Sequence, residues 1–169
     1  MQDQLIFGVG RLLCALPLVD VVETIRPLPV QPLAGAEGLI LGLAVIRGEA
    51  VPVLDTARLL GAPVGEPSRF VTTATARGTV AFAAGHVVGV RAAEPDHSKT
   101  LPGTGSLVTG VGVLDGQPLL FIRSDGGLNG NFPPIAQSAA VAPPATTAPP
   151  AGSTPRPDAL DRGGDRAHA

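Results

Sequence analysis

Few side chains in this sequence are suited to covalent or acid–base chemistry. The single cysteine, Cys14, would need an ionised thiol and a neighbouring base to act as a nucleophile. It stands instead in the apolar run Leu12-Leu13-Cys14-Ala15-Leu16, where burial favours an inert, neutral thiol. One cysteine makes neither an internal disulfide nor a thiolate metal cluster, which fits a reducing compartment. His86 and His97 are set apart by a loop, and no His-x-x-x-His or paired-carboxylate spacing points to a metal. Gly8-Val9-Gly10 leads into a strand rather than a helix, so it is no phosphate cradle. Asp55, ahead of Thr56-Ala57-Arg58-Leu59-Leu60, reads as a helix N-cap rather than a catalytic acid. No catalytic residue, metal or cofactor is therefore expected.

Two residues are better suited to recognition. Arg47 precedes Gly48 between two apolar runs, at the tip of an expected hairpin. A guanidinium there gives a carboxylate a planar, two-pronged contact that an ammonium does not reproduce. Glu23 is flanked by Val21, Val22 and Ile25. Strict alternation puts Val21, Glu23 and Ile25 on one strand face and Val22 with Thr24 on the other. A charge between two apolar neighbours on one face marks an exposed edge or a partner-binding patch.

The elements that must position these residues are strands. The chain has 169 residues, 44% hydrophobic and 15% charged, with five Phe and no Trp or Tyr. Its core must then come from Val, Leu, Ile and Ala, with Val favouring strands. Short apolar runs at 4–9, 11–16, 18–25, 39–46, 50–54, 69–75, 79–84, 86–92, 107–114 and 118–123 are separated by turn signals, of which Asp115-Gly116 is the strongest. Pro52 within such a run implies an edge strand or a bulge. A net charge of −2 and the lack of aromatic platforms give no footprint for nucleic acid. The longest apolar run, Leu39 to Ile46, is too short for a bilayer span. Asp3 and Arg11 argue against reading the N-terminal stretch as a secretory signal. Together these predict a cytoplasmic protein with no direct membrane insertion. From Pro133 the composition turns to Pro, Ala, Thr and Gly, predicting a domain over 1–132 and a disordered tail over 133–169.

The two halves repeat. Leu39 to Gly48 lies over Leu107 to Gly116 without a gap, an offset of 68 residues that also carries Gly10 to Gly78, Val19 to Val87 and Val22 to Val90. This predicts an all-β fold made of two copies of a five-stranded unit. Two small five-stranded β-barrels would remove exposed sheet edges, and one continuous sandwich is the alternative.

Cys14-Ala15-Leu16-Pro17-Leu18-Val19-Asp20-Val21-Val22-Glu23-Thr24-Ile25-Arg26 resembles the first conserved block of CheW-type domains, which couple chemoreceptors to a histidine kinase. Gly42 to Asp55 is similar to the second block, with its Arg-Gly, Pro-Val and Asp kernel at Arg47-Gly48, Pro52-Val53 and Asp55. Val87-Val88-Gly89-Val90 and Leu107-Val108-Thr109-Gly110-Val111 resemble later blocks, so the likeness spans about residues 5–123. The resemblance implies two packed five-stranded barrels and a non-catalytic adaptor. Its partners would be a CheA-type histidine kinase and the cytoplasmic tip of a methyl-accepting chemoreceptor, at membrane-associated arrays. It also implies protein-binding roles for Arg47, Glu23, Val21, Gly42 and Val87. Gly42 has a structural reading beside this, close backbone approach in a strand. Departures from the family pattern are Val45-Ile46 before Arg47, Thr56 after Asp55, Gly85-His86 in the later block, and Ser124 to Gly130 where a closing helix is usual. They leave open an adaptor with one partner. A small β-barrel hydrolase or transferase using Cys14, His86 or His97 is the further alternative.

Overall fold

The computed structural model describes residues 1–34, 39–96, 99 and 107–127. Among these, ten strands form in chain order: β1 (Gln2–Val9), β2 (Leu12–Pro17), β3 (Val21–Ile25), β4 (Ile40–Ile46), β5 (Glu49–Leu54), β6 (Arg69–Thr75), β7 (Gly78–Ala84), β8 (Val87–Ala93), β9 (Val108–Leu114) and β10 (Gln117–Ile122). Each coincides with an expected run except at Leu18–Asp20, which forms a short 3-10 turn. There the chain leaves one sheet for the other, and Pro17 has no N–H to continue a ladder. A single α-helical turn, α1 (Thr56–Leu59), is capped by Asp55, whose Oδ1 accepts from the Arg58 amide at 3.1 Å. The tail over 133–169, the 132 boundary and His97 lie outside the described residues.

The fold is all-β, in two five-stranded sheets. One runs β8-β1-β2-β10-β9 and the other β3-β6-β7-β5-β4. The expected units are there, but neither is closed by a full strand pair. Each sheet curls until the segment that follows one edge strand bridges the other edge, Gln31 after β3 on Leu43 of β4 in one and Asp96 after β8 on Val111 of β9 in the other. Gln31 and Leu43 exchange both backbone hydrogen bonds, at 2.8 and 2.9 Å.

The 68-residue offset places β2 to β5 over β7 to β10, and the sheet orders correspond strand for strand. The copies do not fold separately, however. The second sheet uses the contiguous β3 to β7, while the first joins β1 and β2 to β8, β9 and β10. Each sheet thus takes two strands from one copy and three from the other. The copies meet twice in each sheet, once in a parallel pair (β2 with β10, β5 with β7) and once in an antiparallel one (β1 with β8, β3 with β6), and every other pair of neighbours is antiparallel. A parallel pair needs a long crossover, and the exchange supplies one.

Three apolar clusters hold this arrangement. Phe7, Cys14, Leu16, Leu54, Val71, Phe82 and Ile122 form part of a core shared by both sheets. Ala44, Ile46, Val51, Val53 and Phe70 fill the curl of the second sheet, and Ile6, Ala15, Leu119 and Phe121 that of the first. Pro52 is buried in β5, an interior strand without a bulge at that point, contrary to the edge or bulge expected of it. Its partner Leu43 turns its own N–H and C=O to Gln31, and pairing with β7 begins only at Val53. No ladder donor is therefore missing at Pro52.

Candidate functional site

The β4–β5 hairpin turns at Arg47 and Gly48, with φ of 50° and 82°. Both central residues are in the left-handed region, the geometry that matches hairpin twist. Asp115 and Gly116 repeat it in the β9–β10 hairpin, with φ of 50° and 77°. The turn projects Arg47 over the edge of the second sheet to meet β3. Its Nε and Nη2 donate to the two carboxylate oxygens of Glu23, each at 2.7 Å. This is the two-pronged geometry that a guanidinium and a carboxylate adopt when both are well placed. The Arg47 side chain is 78% exposed and that of Glu23 20%. The hydrogen bonds from Arg47 hold the Glu23 carboxyl below its usual range, and Glu23 in turn raises the guanidinium.

Glu23 is fixed from behind by a residue the sequence did not single out. Thr72 of β6 accepts from the Glu23 amide and donates to the Glu23 carbonyl through one hydroxyl, both at 3.2 Å. The register of β3 on β6 slips there. Val21 lies opposite Thr73, and Glu23 opposite Thr72, so Val22 is the extra residue of a bulge. Val21 therefore packs against the shared core, whereas Ile25 packs into the second sheet's own cluster. The common face expected for Val21, Glu23 and Ile25 does not hold, because a bulge reverses the alternation. Val22 is left 56% exposed beside the ion pair.

The other candidates are placed apart from it. Gly42, with φ of 147°, is buried where Gln31 crosses β4; a Cβ would fall onto the Gln31 carbonyl oxygen and 2.9 Å from Val30 Cγ1. That is the close backbone approach read from the sequence, and it presents no surface to a partner. Its repeat Gly110 is crossed by Pro95 in the same way. Val87 belongs to the first sheet and packs against the shared core. Cys14 is fully buried, and desolvation pushes its thiol up to about 12. His86 is exposed with its ring over Gly8, so Cys14 and His86 do not form a nucleophile–base pair. No cluster of metal-binding side chains occurs among the described residues.

A second polar junction was not legible in the sequence. Ser124, just after β10, donates to the Asp20 carboxylate, and its carbonyl accepts from the Thr73 hydroxyl at 2.6 Å. Beside it, Arg123 forms a two-pronged pair with Asp125, at 3.0 and 2.6 Å. The junction ties the end of the first sheet to the turn entering the second.

Comparison with known proteins bears on the family and the fold. The chain is 32% identical over 93 residues to the protein FrzA of Myxococcus xanthus, an alignment covering 53% of this chain. The chain thus spans 58% of the length of that relative. Its fold is similar to the crystal structure of the scaffolding protein TtCheW from Thermoanaerobacter tengcongensis, with a TM-score of 0.61 and 18% identity, covering 72% of this chain and 88% of that one. The family model of the CheW-like domain matches residues 3–129, and the chain belongs to that family.

Proposed function

We propose that this chain is a non-catalytic adaptor of chemotaxis-type signalling. It couples the cytoplasmic tip of a chemoreceptor to a CheA-type histidine kinase through protein contacts alone. The observation that carries the reading is the Glu23–Arg47 fork, two charges 24 residues apart in sequence that the fold brings together at an exposed corner. A fixed fork of this kind sets orientation and partner choice more than raw affinity. Exposed Val22 and Val45, on the two strands beside it, supply apolar contact area. Signal would pass as a population shift between assembled geometries, without covalent chemistry. No helix among the described residues is long and apolar enough to cross a membrane, so placement at a receptor array would come from these partners.

The test is sedimentation of the full chain with a purified CheA-type kinase and a receptor cytoplasmic fragment, separately and together. Binding of both at about 10 µM or tighter, with receptor-dependent change in kinase activity, is expected. Failure of both to bind at that level would remove the coupling role. A one-partner adaptor is the second reading. It is favoured because Gly42 is buried and Val21 and Val87 are half-buried against the core, whereas Arg47 and Glu23 form one polar group at the surface. Kinase binding without any receptor response would single it out.

A further inference from the structure

Between β3 and β4 the chain runs Arg26-Pro27-Leu28-Pro29-Val30-Gln31-Pro32. The prolines Pro27, Pro29 and Pro32 have φ fixed by their rings at about −65°. Arg26, Leu28 and Gln31 each precede a proline and are held to extended backbone. Only Val30 escapes both constraints, and it packs against the cluster that contains Val53 and Phe70. The sequence therefore presets a polyproline II arm, with about three residues per turn. The spacing Pro-x-x-Pro occurs once in the chain, here at Pro29 and Pro32, and Arg26 stands three residues ahead of Pro29. The prolines from Pro133 onward are more numerous but never fall at that spacing.

The fold leaves this arm in solvent. From Arg26 to Ala34 every residue is exposed except half-buried Val30, and even Leu28 and Leu33 are 38% and 40% exposed. A period of about three puts Arg26, Pro29 and Pro32 on one ridge, Leu28 and Gln31 on the second, and Val30 on the third. Val30 turns that third ridge toward the protein, so the other two face outward together. Gln31 uses its N–H and C=O on Leu43, and the backbone from Arg26 to Leu33 makes no other hydrogen bond among the described residues. The arm is thus pinned at Val30 and Gln31 and open along its outer side. No ion pair engages the Arg26 guanidinium among the described residues.

We infer that this arm is a docking peptide for a partner domain that reads polyproline through an aromatic-lined groove with a carboxylate at one end. The pairs Leu28-Pro29 and Gln31-Pro32 fill two successive slots between the aromatic rings, and Arg26 meets the carboxylate in a two-pronged contact. An arm already held in the bound conformation loses little freedom on docking. The partner is not a second copy of this chain. The sequence has no Trp or Tyr, and Phe7, Phe70, Phe82 and Phe121 are buried, so these sheets offer no aromatic groove. The cation at one end of the arm makes the groove's complement acidic and sets the direction in which the arm crosses it. This goes beyond the adaptor role and needs neither kinase nor receptor.

The probe is a purified, isotope-labelled SH3 domain that reads Arg-x-x-Pro-x-x-Pro, titrated with the full chain to about 500 µM and followed by NMR. Saturable shifts confined to the aromatic and acidic residues of the probe's groove are expected, with a Kd of about 10–300 µM. R26E should weaken binding about tenfold or more, and P29A/P32A should abolish it. R26E removes no contact within the fold, so it decides the matter if circular dichroism shows P29A/P32A to be disturbed. P143A/P144A/P149A/P150A should leave the affinity unchanged. A WW domain that reads Pro-Pro-x-Tyr is the control and should show no shifts, since the chain has no Tyr. No saturable shift at about 500 µM overturns the inference. So does binding that R26E leaves unchanged, binding that the C-terminal substitutions abolish, or equal binding by the WW domain.

Discussion

Gly42→Ala puts the closure of the second sheet to a quantitative test. The backbone at Gly42 has φ of 147°, a region that side-chain-bearing residues occupy at a cost of about 1–3 kcal/mol. The added methyl would also stand 2.6 Å from the Gln31 carbonyl carbon and 2.9 Å from Val30 Cγ1, so the crossing segment must lift. Lifting it breaks the two hydrogen bonds between Gln31 and Leu43, worth about 1 kcal/mol each. The sum is about 3–5 kcal/mol, a large share of the roughly 5–15 kcal/mol that holds a domain of this kind together. Gly48→Ala is the control, because its φ is 82° with nothing within 4 Å of the new methyl. It should cost only the backbone term, about 1–2 kcal/mol. Guanidinium unfolding followed by far-UV circular dichroism suits a chain without Trp or Tyr. If Gly42→Ala is no more destabilising than Gly48→Ala, the crossing of Gln31 over β4 is not a tight backbone contact and the reasoning fails.

Asp55→Ala should destabilise the fold by about 1 kcal/mol, and Asp55→Asn by clearly less, in urea titrations, because only the first removes the cap on the Arg58 amide. Arg47→Lys should lose kinase or receptor coupling nearly as fully as Arg47→Ala in a reconstituted assay, with melting within about 3 °C of the parent, since an exposed pair contributes little to stability. Cys14 should not react with an aromatic disulfide reagent at pH 8 until the chain is unfolded. The same burial gives a pH dependence. The folded thiol is raised from 9.0 to about 12, so its contribution is complete below pH 9 and is lost as the pH climbs toward 12, where the unfolded thiol ionises first. A chemical-denaturation series between pH 7 and 10.5 should show a declining midpoint only above about pH 9, and Cys14→Ser should flatten that decline.

Local signals in the sequence located the strands well, because apolar runs and Gly-containing turns act within a few residues. Arg47-Gly48 and Asp115-Gly116 both form the turn their glycines suggested, and Asp55 caps the helix it precedes. What was hidden depends on contacts between distant segments. The offset shows two copies but not which strands pair, so the exchange between them has no local signal. The bulge at Val22 arises from the fit of β3 on β6, and period-two reasoning placed Val21 on the wrong face for that reason. Thr72 has no local signal to set it apart from other strand threonines, because only the pairing of β3 with β6 brings its hydroxyl to Glu23. Gly42 was legible as a close-approach glycine, but only the fold identifies Gln31 as the segment that crosses it. At the site itself, Arg47 and Glu23 were each singled out, while their pairing was not.

The interleaving of the two copies also bears on the order in which a growing chain can fold. The second sheet is complete once Ala84 has been made, since all its strands lie between Val21 and Ala84. The first is not, because β1 and β2 are made first and must wait for β8, β9 and β10. During synthesis, Leu5, Phe7, Cys14 and Leu16 therefore stay without the Leu120 and Ile122 that complete their shelter. An early hairpin with an uncovered apolar face is the kind of species that chaperones hold and that associates wrongly when crowded. Truncation at any point before Ile122 should leave such a chain, so a shortened product is expected to be insoluble rather than to survive as a folded half.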